Sequence, residues 1–414
     1  MRQTLEVWLD SDLAPIQRIG VLSHDRGTVW FEYEKAWLKN PLAFQLDPEL
    51  QLAEGPIFPN AESANFGIFL DSAPDRWGQN LIKRRELLQA KDENRNARKL
   101  HAWDYLQGVQ DITRQGALRF KSSDSAEFLA NDARAALPVT SLSELSNIAH
   151  SLTRTDRDNL EDLRRWLSVL VAPGASLGGA RPKANFVEAD KTAWIAKFPA
   201  YQDSRDVGAW EYLVWTLAQQ AGIDMPKAKR LKVGGTGYHS FCVQRFDRIN
   251  KQRRFYASAM TLLGAQETDD GVHSYLELAQ FLADNGDPNT LQADLEQLFR
   301  RVVFNVAVGN RDDHLRNHGF LLTQNGWQLA PAFDINPNLD KEVHVLNLDD
   351  TDNRPSISTV RSTAAHYRIK PSQADSIIKS ILSAVKNWEG LARQQGLSAE
   401  ERLETARAFS LARE

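Results

Sequence analysis

Residues 304–338, FNVAVGNRDDHLRNHGFLLTQNGWQLAPAFDINPN, constrain this chain more than any other stretch. Arg311, Asp312 and Asn317 have the spacing R-D-x-x-x-x-N of the loop on which protein kinases carry their catalytic aspartate, with Asn310 where His usually stands. Two β-type runs follow, Gly319–Thr323 and Trp327–Ala330, and the Asn325-Gly326 pair between them predicts a hairpin. The second run leads into Phe333-Asp334-Ile335, where kinases carry D-F-G. Phosphoryl transfer needs a carboxylate to orient the attacking hydroxyl and oxygen ligands for Mg²⁺ on the nucleotide phosphates. Asp312 suits the first task; Asn317 and Asp334, joined by the hairpin, suit the second. A short motif of Asp and Asn residues could equally serve as caps. The whole constellation decides against that reading.

Composition narrows the remaining classes. At 414 residues the chain is too long for one ordinary core, so two or three domains are expected. Apolar content of 42% with 25% charged residues fits a globular protein, and a formal net charge of -4 advertises no global basic field for nucleic acid. Cys242 is the one cysteine, which excludes an intrachain disulfide and fits a reducing cytoplasm. The opening MRQTLEVWLDSD has no apolar core of the secretory-signal kind, and no apolar run approaches membrane-spanning length.

Periodicity organises the rest. Leu5–Leu9, Ile16–Leu22 and Thr28–Tyr33 read as strands, and Asn65–Gln89 turns helical with a fresh start after Pro74. Ala117–Lys121 reads as a closing strand and 121–137 as a connection. Ser141 with Glu144 has the capping-box spacing. Ala184–Glu188 and Thr192–Phe198 are expected strands. A helix from Val207 carries Glu211, and Lys229–Val233 with His239–Phe246 form a further strand pair. Helices are expected over Tyr275–Ala283, Leu291–Val308, Ala374–Gln395 and Ala399–Leu411. The expectation is an α+β, two-lobed, protein-kinase-like fold: a β-rich subdomain over 1–137, an N-lobe-like region over 138–250 and a helical C-lobe over 251–414.

The loop Gly174-Ala175-Ser176-Leu177-Gly178-Gly179 has two readings. It contains G-x-S-x-G, the nucleophile elbow of serine hydrolases, for which His314 or His344 could be the base. The elbow needs a following helix, however, and here Pro182 and a β-rich stretch follow. Alternatively Gly178 and Gly179 let backbone N–H groups approach phosphates, with Arg181 or Lys183 adding charge. Lys197 on a strand, followed by Glu211 on a helix, matches the kinase pairing of strand lysine with helix glutamate.

Together SLGGARPKA (176–184), WIAKFP (194–199), VQRFDR (243–248), NRDDHLRNHGFLL (310–322) and LAPAFDINP (329–337) resemble, in this order, the HipA family of bacterial toxin serine/threonine kinases. The resemblance implies ATP and Mg²⁺ as cofactors, Asp312 as catalytic aspartate, and Asn317 and Asp334 as metal ligands. It places Lys197 on the nucleotide phosphates, Gln244, Arg245 and Phe246 at the adenine hinge, and Ser176 as the autophosphorylated serine of a loop that includes Lys183. It also implies a protein Ser/Thr substrate, which in this family includes aminoacyl-tRNA synthetases. A helix-turn-helix antitoxin would be the partner, with DNA reached only through it and no membrane involved. Asp313, where some members have Gly, is left open between a metal contact and a solvated neighbour. Three functions are therefore carried forward: an active kinase, a catalytically idle kinase-like partner of a DNA-bound repressor, and a serine hydrolase built on Ser176.

Overall fold

The computed structural model describes residues 2–130, 137–153, 180–269 and 271–412, with 161, 164, 165, 167, 169 and 170 between the second and third segments. Ser176, Gly178 and Gly179 lie outside the described residues. The chain divides into two units, Met1–Gln202 with Lys232–Ala257, and Asp203–Leu231 with Ser258–Glu414.

The first unit is built on two sheets. Strands β1 (Gln3–Ser11), β2 (Ala14–Asp25), β3 (Thr28–Tyr33) and β4 (Leu118–Ser122) form an antiparallel sheet in the order β3-β2-β1-β4. Leu5, Val7 and Leu9 alternate inward along β1, the period-two pattern that made this strand legible. Helix α1 (Arg76–Asp92) follows Pro74; its N-cap is Asp75, whose carboxylate accepts from the Gly78 N–H at 2.7 Å. The second sheet is five-stranded, and four of its strands lie in this unit: β5 (Leu137–Pro138), β6 (Lys183–Val187), β7 (Ala193–Lys197) and β8 (Ser240–Gln244), with β5–β6 parallel and the pairs β6–β7 and β7–β8 antiparallel. Helix α2 (Leu142–Leu152) starts after Ser141, but the expected capping box does not form. Ser141 has helical φ/ψ of -84° and -6°, so its hydroxyl is not aimed at the helix N–H groups.

The second unit is mainly helical. Its axis is α5 (Leu291–Ala307), buried without interruption from Arg301 to Ala307. Against it pack α4 (Tyr275–Asn285) and α6 (Pro371–Lys386), and the unit also holds α3 (Val207–Gln220), α7 (Trp388–Gln394) and α8 (Ala399–Thr405). Residues 203–231, which the sequence reading placed with the N-lobe-like region, belong here. The reason is α3's buried face: Trp210 packs 6.2 Å from Trp388 and 6.4 Å from Phe409, while Trp388 and Phe409 stack at 4.5 Å. The same aromatic cluster breaks two expected helices. The predicted run 374–395 divides at Asn387, and 399–411 gives way to a 3₁₀ segment that kinks at Phe409 (φ -102°, ψ 16°). The predicted hairpin is present as β9 (Gly319–Leu322) and β10 (Trp327–Leu329), closed by Thr323 N–H donating to Gly326 O at 2.8 Å. Gly326 has φ +143°, and a Cβ there would stand 2.7 Å from Asn285 O, so only glycine fits. Among the described residues no helix is long and apolar enough to cross a membrane.

Candidate active site

The 310–317 loop is launched by the end of α5. Gly309, at φ +65°, donates to Val306 O at 3.4 Å, and Asn310 N–H donates to Asn305 O at 2.9 Å. This is a Schellman ending: the left-handed glycine reverses the chain and satisfies two terminal carbonyls. The loop thus leaves the most deeply buried helix of its unit at a defined angle.

Asp312 and Asp313 then take opposite fates. Asp313 is buried, and its Oδ2 accepts from Tyr275 Oη at 2.6 Å and Asn305 Nδ2 at 2.7 Å, and faces His318 Nε2 at 2.8 Å. Burial pushes this carboxyl up, but His318 and the Tyr275 hydroxyl outweigh it and hold the pKa below the usual carboxylate value. Asp313 is therefore neither a solvated neighbour nor a free metal contact; it pins the loop to α4, α5 and the start of the hairpin. Asp312 points the other way. Its side chain is 54% exposed, Oδ1 meets Lys341 Nζ at 2.7 Å, and Oδ2 has no partner among the described residues. Asn317 lies in a 3₁₀ turn with its Nδ2 3.4 Å from the Asp312 carbonyl, which gathers the loop around Asp312.

Asp334 follows the hairpin with φ +57°, a left-handed conformation uncommon for a non-glycine residue and typical of functional sites. Asn336 ties this segment to the loop: its Nδ2 lies 3.4 Å from Asp334 Oδ1, and its N–H lies 3.4 Å from Asn310 Oδ1. The Asn336 Oδ1 atom is buried without a hydrogen-bond partner. Carboxylate and amide oxygens of this kind suit Mg²⁺, which takes one or two carboxylates and fills its remaining positions with phosphate oxygens and water. Asp334 and Asn336, 3.4 Å apart, carry oxygens of the kind that fits such an ion. Arg301, buried on α5, donates to Ala330 O at 2.6 Å and holds the strand that leads to Asp334; burial pushes its pKa down to about 10.

In the first unit, Lys197 ends β7 in register with Lys183 of β6, and its Nζ stands 5.9 Å from the Phe241 ring centroid. Lys183, expected in a phosphate-facing loop, instead opens a strand. Its ammonium is buried against Asp75 Oδ2 at 2.7 Å, and its carbonyl accepts from Trp77 Nε1 at 3.0 Å. Gln244 pairs with Trp194 at the end of β8. Phe246 packs 5.8 Å from Tyr256. The Arg245 side chain is buried, bidentate on Asp247 at 2.7 and 2.9 Å, and donates to Asn185 Oδ1 and the Thr113 carbonyl. The Arg245 N–H donates to Ala193 O. Burial pushes the Asp247 carboxyl up, yet Arg245 and Arg248 hold it far below the usual range. Glu211 is buried on α3 of the second unit.

His344, a candidate base for the hydrolase reading, is buried with both ring nitrogens lacking a hydrogen-bond partner, so no carboxylate orients it. Sequence reasoning missed Lys341, Tyr275, Asn305, His318 and Asp75. Of these only Asp75 carried a local signal, an Asp directly after Pro at the start of a helical pattern.

A family model described as HipA-like C-terminal domain matches residues 175–388, and one described as HipA N-terminal domain matches residues 5–103. A protein of Haemophilus influenzae named as a kinase is 25% identical over 184 residues, 39% of this chain and 52% of that protein. The serine/threonine-protein kinase toxin HipA of Shewanella oneidensis is 24% identical over 192 residues, 39% of this chain and 43% of the toxin. The chain thus spans about half the length of these curated relatives. A chain from the solved Shewanella oneidensis complex of HipA, HipB and operator DNA matches with a TM-score of 0.64 at 18% identity, covering 99% of this chain and 95% of that one. At that identity the likeness is one of fold.

Proposed function

The chain belongs to the HipA family, and from that premise we propose that it is an ATP- and Mg²⁺-dependent serine/threonine protein kinase. The observation that carries the proposal is the division of labour between neighbouring carboxylates. Asp313 is locked into the core, while Asp312 is presented to solvent with one oxygen unengaged. A base that must meet a hydroxyl on another protein needs that exposure together with a rigid mount.

In the proposed reaction Asp312 Oδ2 accepts a hydrogen bond from the acceptor Ser or Thr hydroxyl and aligns it with the γ-phosphorus. The new P–O bond forms as the bond to the β,γ-bridging oxygen breaks. The hydroxyl proton passes to Asp312, and ADP leaves with the bridging electrons. Bound Mg²⁺ would neutralise charge on the phosphates, held by Asp334 and Asn317 with Asn336 beside them. Lys197 would contact the phosphates, Gln244 and Phe246 would border the adenine, and Arg245 would hold that border in place. Gly178 and Gly179 would cover the phosphates. Lys183, being committed to Asp75, would serve the fold and not the nucleotide. Ser176 would be the autophosphorylation site, where a charge of roughly -1.5 to -2 would repel nucleotide. A HipB-like antitoxin would be the partner, since the structural relative is titled as a complex with HipB and operator DNA.

Intact-mass measurement after incubation with ATP and Mg²⁺ tests the reading. Wild type gains phosphate, mapped to Ser176, and Asp312→Ala gains none while melting as wild type does. Phosphate on Asp312→Ala at the wild-type level would overturn the assignment. Calorimetry of ATP binding with and without Mg²⁺ tests the metal site: Asp334→Ala loses the Mg²⁺ enhancement. An unaltered enhancement removes Asp334 from it.

A further inference from the structure

We propose that Lys341 is the positioning residue for Asp312, fixing which carboxylate oxygen faces the acceptor hydroxyl. The inference rests on the kinase reading and assigns a role to a residue outside the motifs that led to it. Lys341 Nζ meets Asp312 Oδ1 at 2.7 Å, with the two side chains 38% and 54% exposed. An ion pair this exposed contributes little to stability and would ordinarily exchange with water. Here the backbone around it is held. Arg311 Nη1 donates to the Lys341 carbonyl at 2.9 Å, so the residue before the base grips the backbone of the lysine that grips the base. Asn338 N–H donates to Gly309 O at 2.9 Å and Val345 N–H to Arg311 O at 3.1 Å, which tie both ends of the 338–345 segment to the catalytic loop. Asn338 Oδ1 accepts from the Asp340 and Lys341 N–H groups at 3.0 and 2.8 Å, closing the turn, and Arg407 Nη2 donates to Leu339 O.

The consequence is geometric. A lone carboxylate presents two equivalent oxygens and rotates between them. With Oδ1 occupied by a tethered ammonium, Oδ2 is the oxygen left for the hydroxyl, and the χ2 rotation that would misalign it is restrained.

The test measures phosphate incorporation into the full chain against ATP concentration with Mg²⁺, giving a maximal rate and a half-saturating ATP concentration. Lys341→Met and Lys341→Ala lower the maximal rate by roughly tenfold or more, with half-saturating ATP within about twofold. Lys341→Arg recovers most of the rate. Ethylamine restores rate to Lys341→Ala and not to Lys341→Met, whose side chain fills the space. A purely structural role would not respond to a diffusible amine. If wild type transfers phosphate and Lys341→Met keeps its maximal rate within about twofold, the inference falls and the kinase reading stands. The inference also falls if only half-saturating ATP moves, or if neither arginine nor ethylamine restores rate. If wild type incorporates no phosphate and hydrolyses no ATP, the kinase reading falls and takes the inference with it.

Discussion

Two lysine–aspartate pairs in this molecule have the same length, 2.7 Å, and opposite meanings. Lys183 and Asp75, in the first unit, are 3% and 6% exposed; Lys341 and Asp312, in the second, are 38% and 54% exposed. For the buried pair, desolvation dominates: it pushes the Asp75 carboxyl up even though Lys183 pulls it down. Removing either partner would leave an uncompensated charge in the core. The pair joins the cap of α1 to the start of β6, and its work is architectural. For the exposed pair, water screens both charges and the net stabilisation is small. Losing either partner of such a pair therefore costs the fold little. The two pairs are alike in distance and differ in burial, and burial is what sets their cost to the fold.

The largest effect that would break this comparison is expected at the buried pair. Lys183→Met strands Asp75 and costs about 3–5 kcal/mol, read as a lower denaturant midpoint for the first unit. A shift below about 1 kcal/mol would show that the pair is not energetically buried. Next comes the buried His344, whose titration is governed mainly by desolvation. Burial pushes His344 down to about 4 from an ordinary 6.5. The folded state keeps this ring neutral while the unfolded chain takes up a proton, so its contribution is full above pH 6.5 and is lost as pH falls toward 4. The loss amounts to about 3 kcal/mol. Unfolding titrations at pH 7 and pH 4.5 read it, and His344→Asn should flatten that part of the pH dependence. The smallest effect sharpens the comparison from the exposed side. Lys341→Met should change the unfolding free energy by less than about 1 kcal/mol, even as it slows phosphate transfer. A large loss of stability there would make the second pair as architectural as the first.

How legible these features were depends on whether their cause was local. Strands β1 to β3 follow from alternation, the β9–β10 hairpin from Asn325-Gly326 between apolar runs, and α1 from Pro74-Asp75 ahead of a helical period. The α+β class and the membership of the HipA family were readable for the same reason, since both rest on segments that carry their pattern in contiguous residues. The capping box at Ser141 failed because its spacing was present and its backbone conformation was not. The two long C-terminal helices broke because Trp388 and Phe409 each had to reach one aromatic cluster on α3, a demand that no helical period contains.

By itself the amino-acid sequence determined the family, the kinase-like spacing of the 310–317 loop and those elements whose pattern is local, because neighbouring residues already set backbone conformation and the pattern of apolar faces. It could not distribute roles between Asp312 and Asp313, adjacent and chemically identical. Only the tertiary structure did that. Tyr275, Asn305 and His318 converge on one carboxylate from α4, α5 and the hairpin, and Lys341 reaches the other from a later turn. Nor could it show that the side chain of Arg245, within the expected adenine hinge, is consumed by Asp247, Asn185 and Thr113. Burial and partner choice depend on groups far apart in the chain, and that information exists only once the chain has folded.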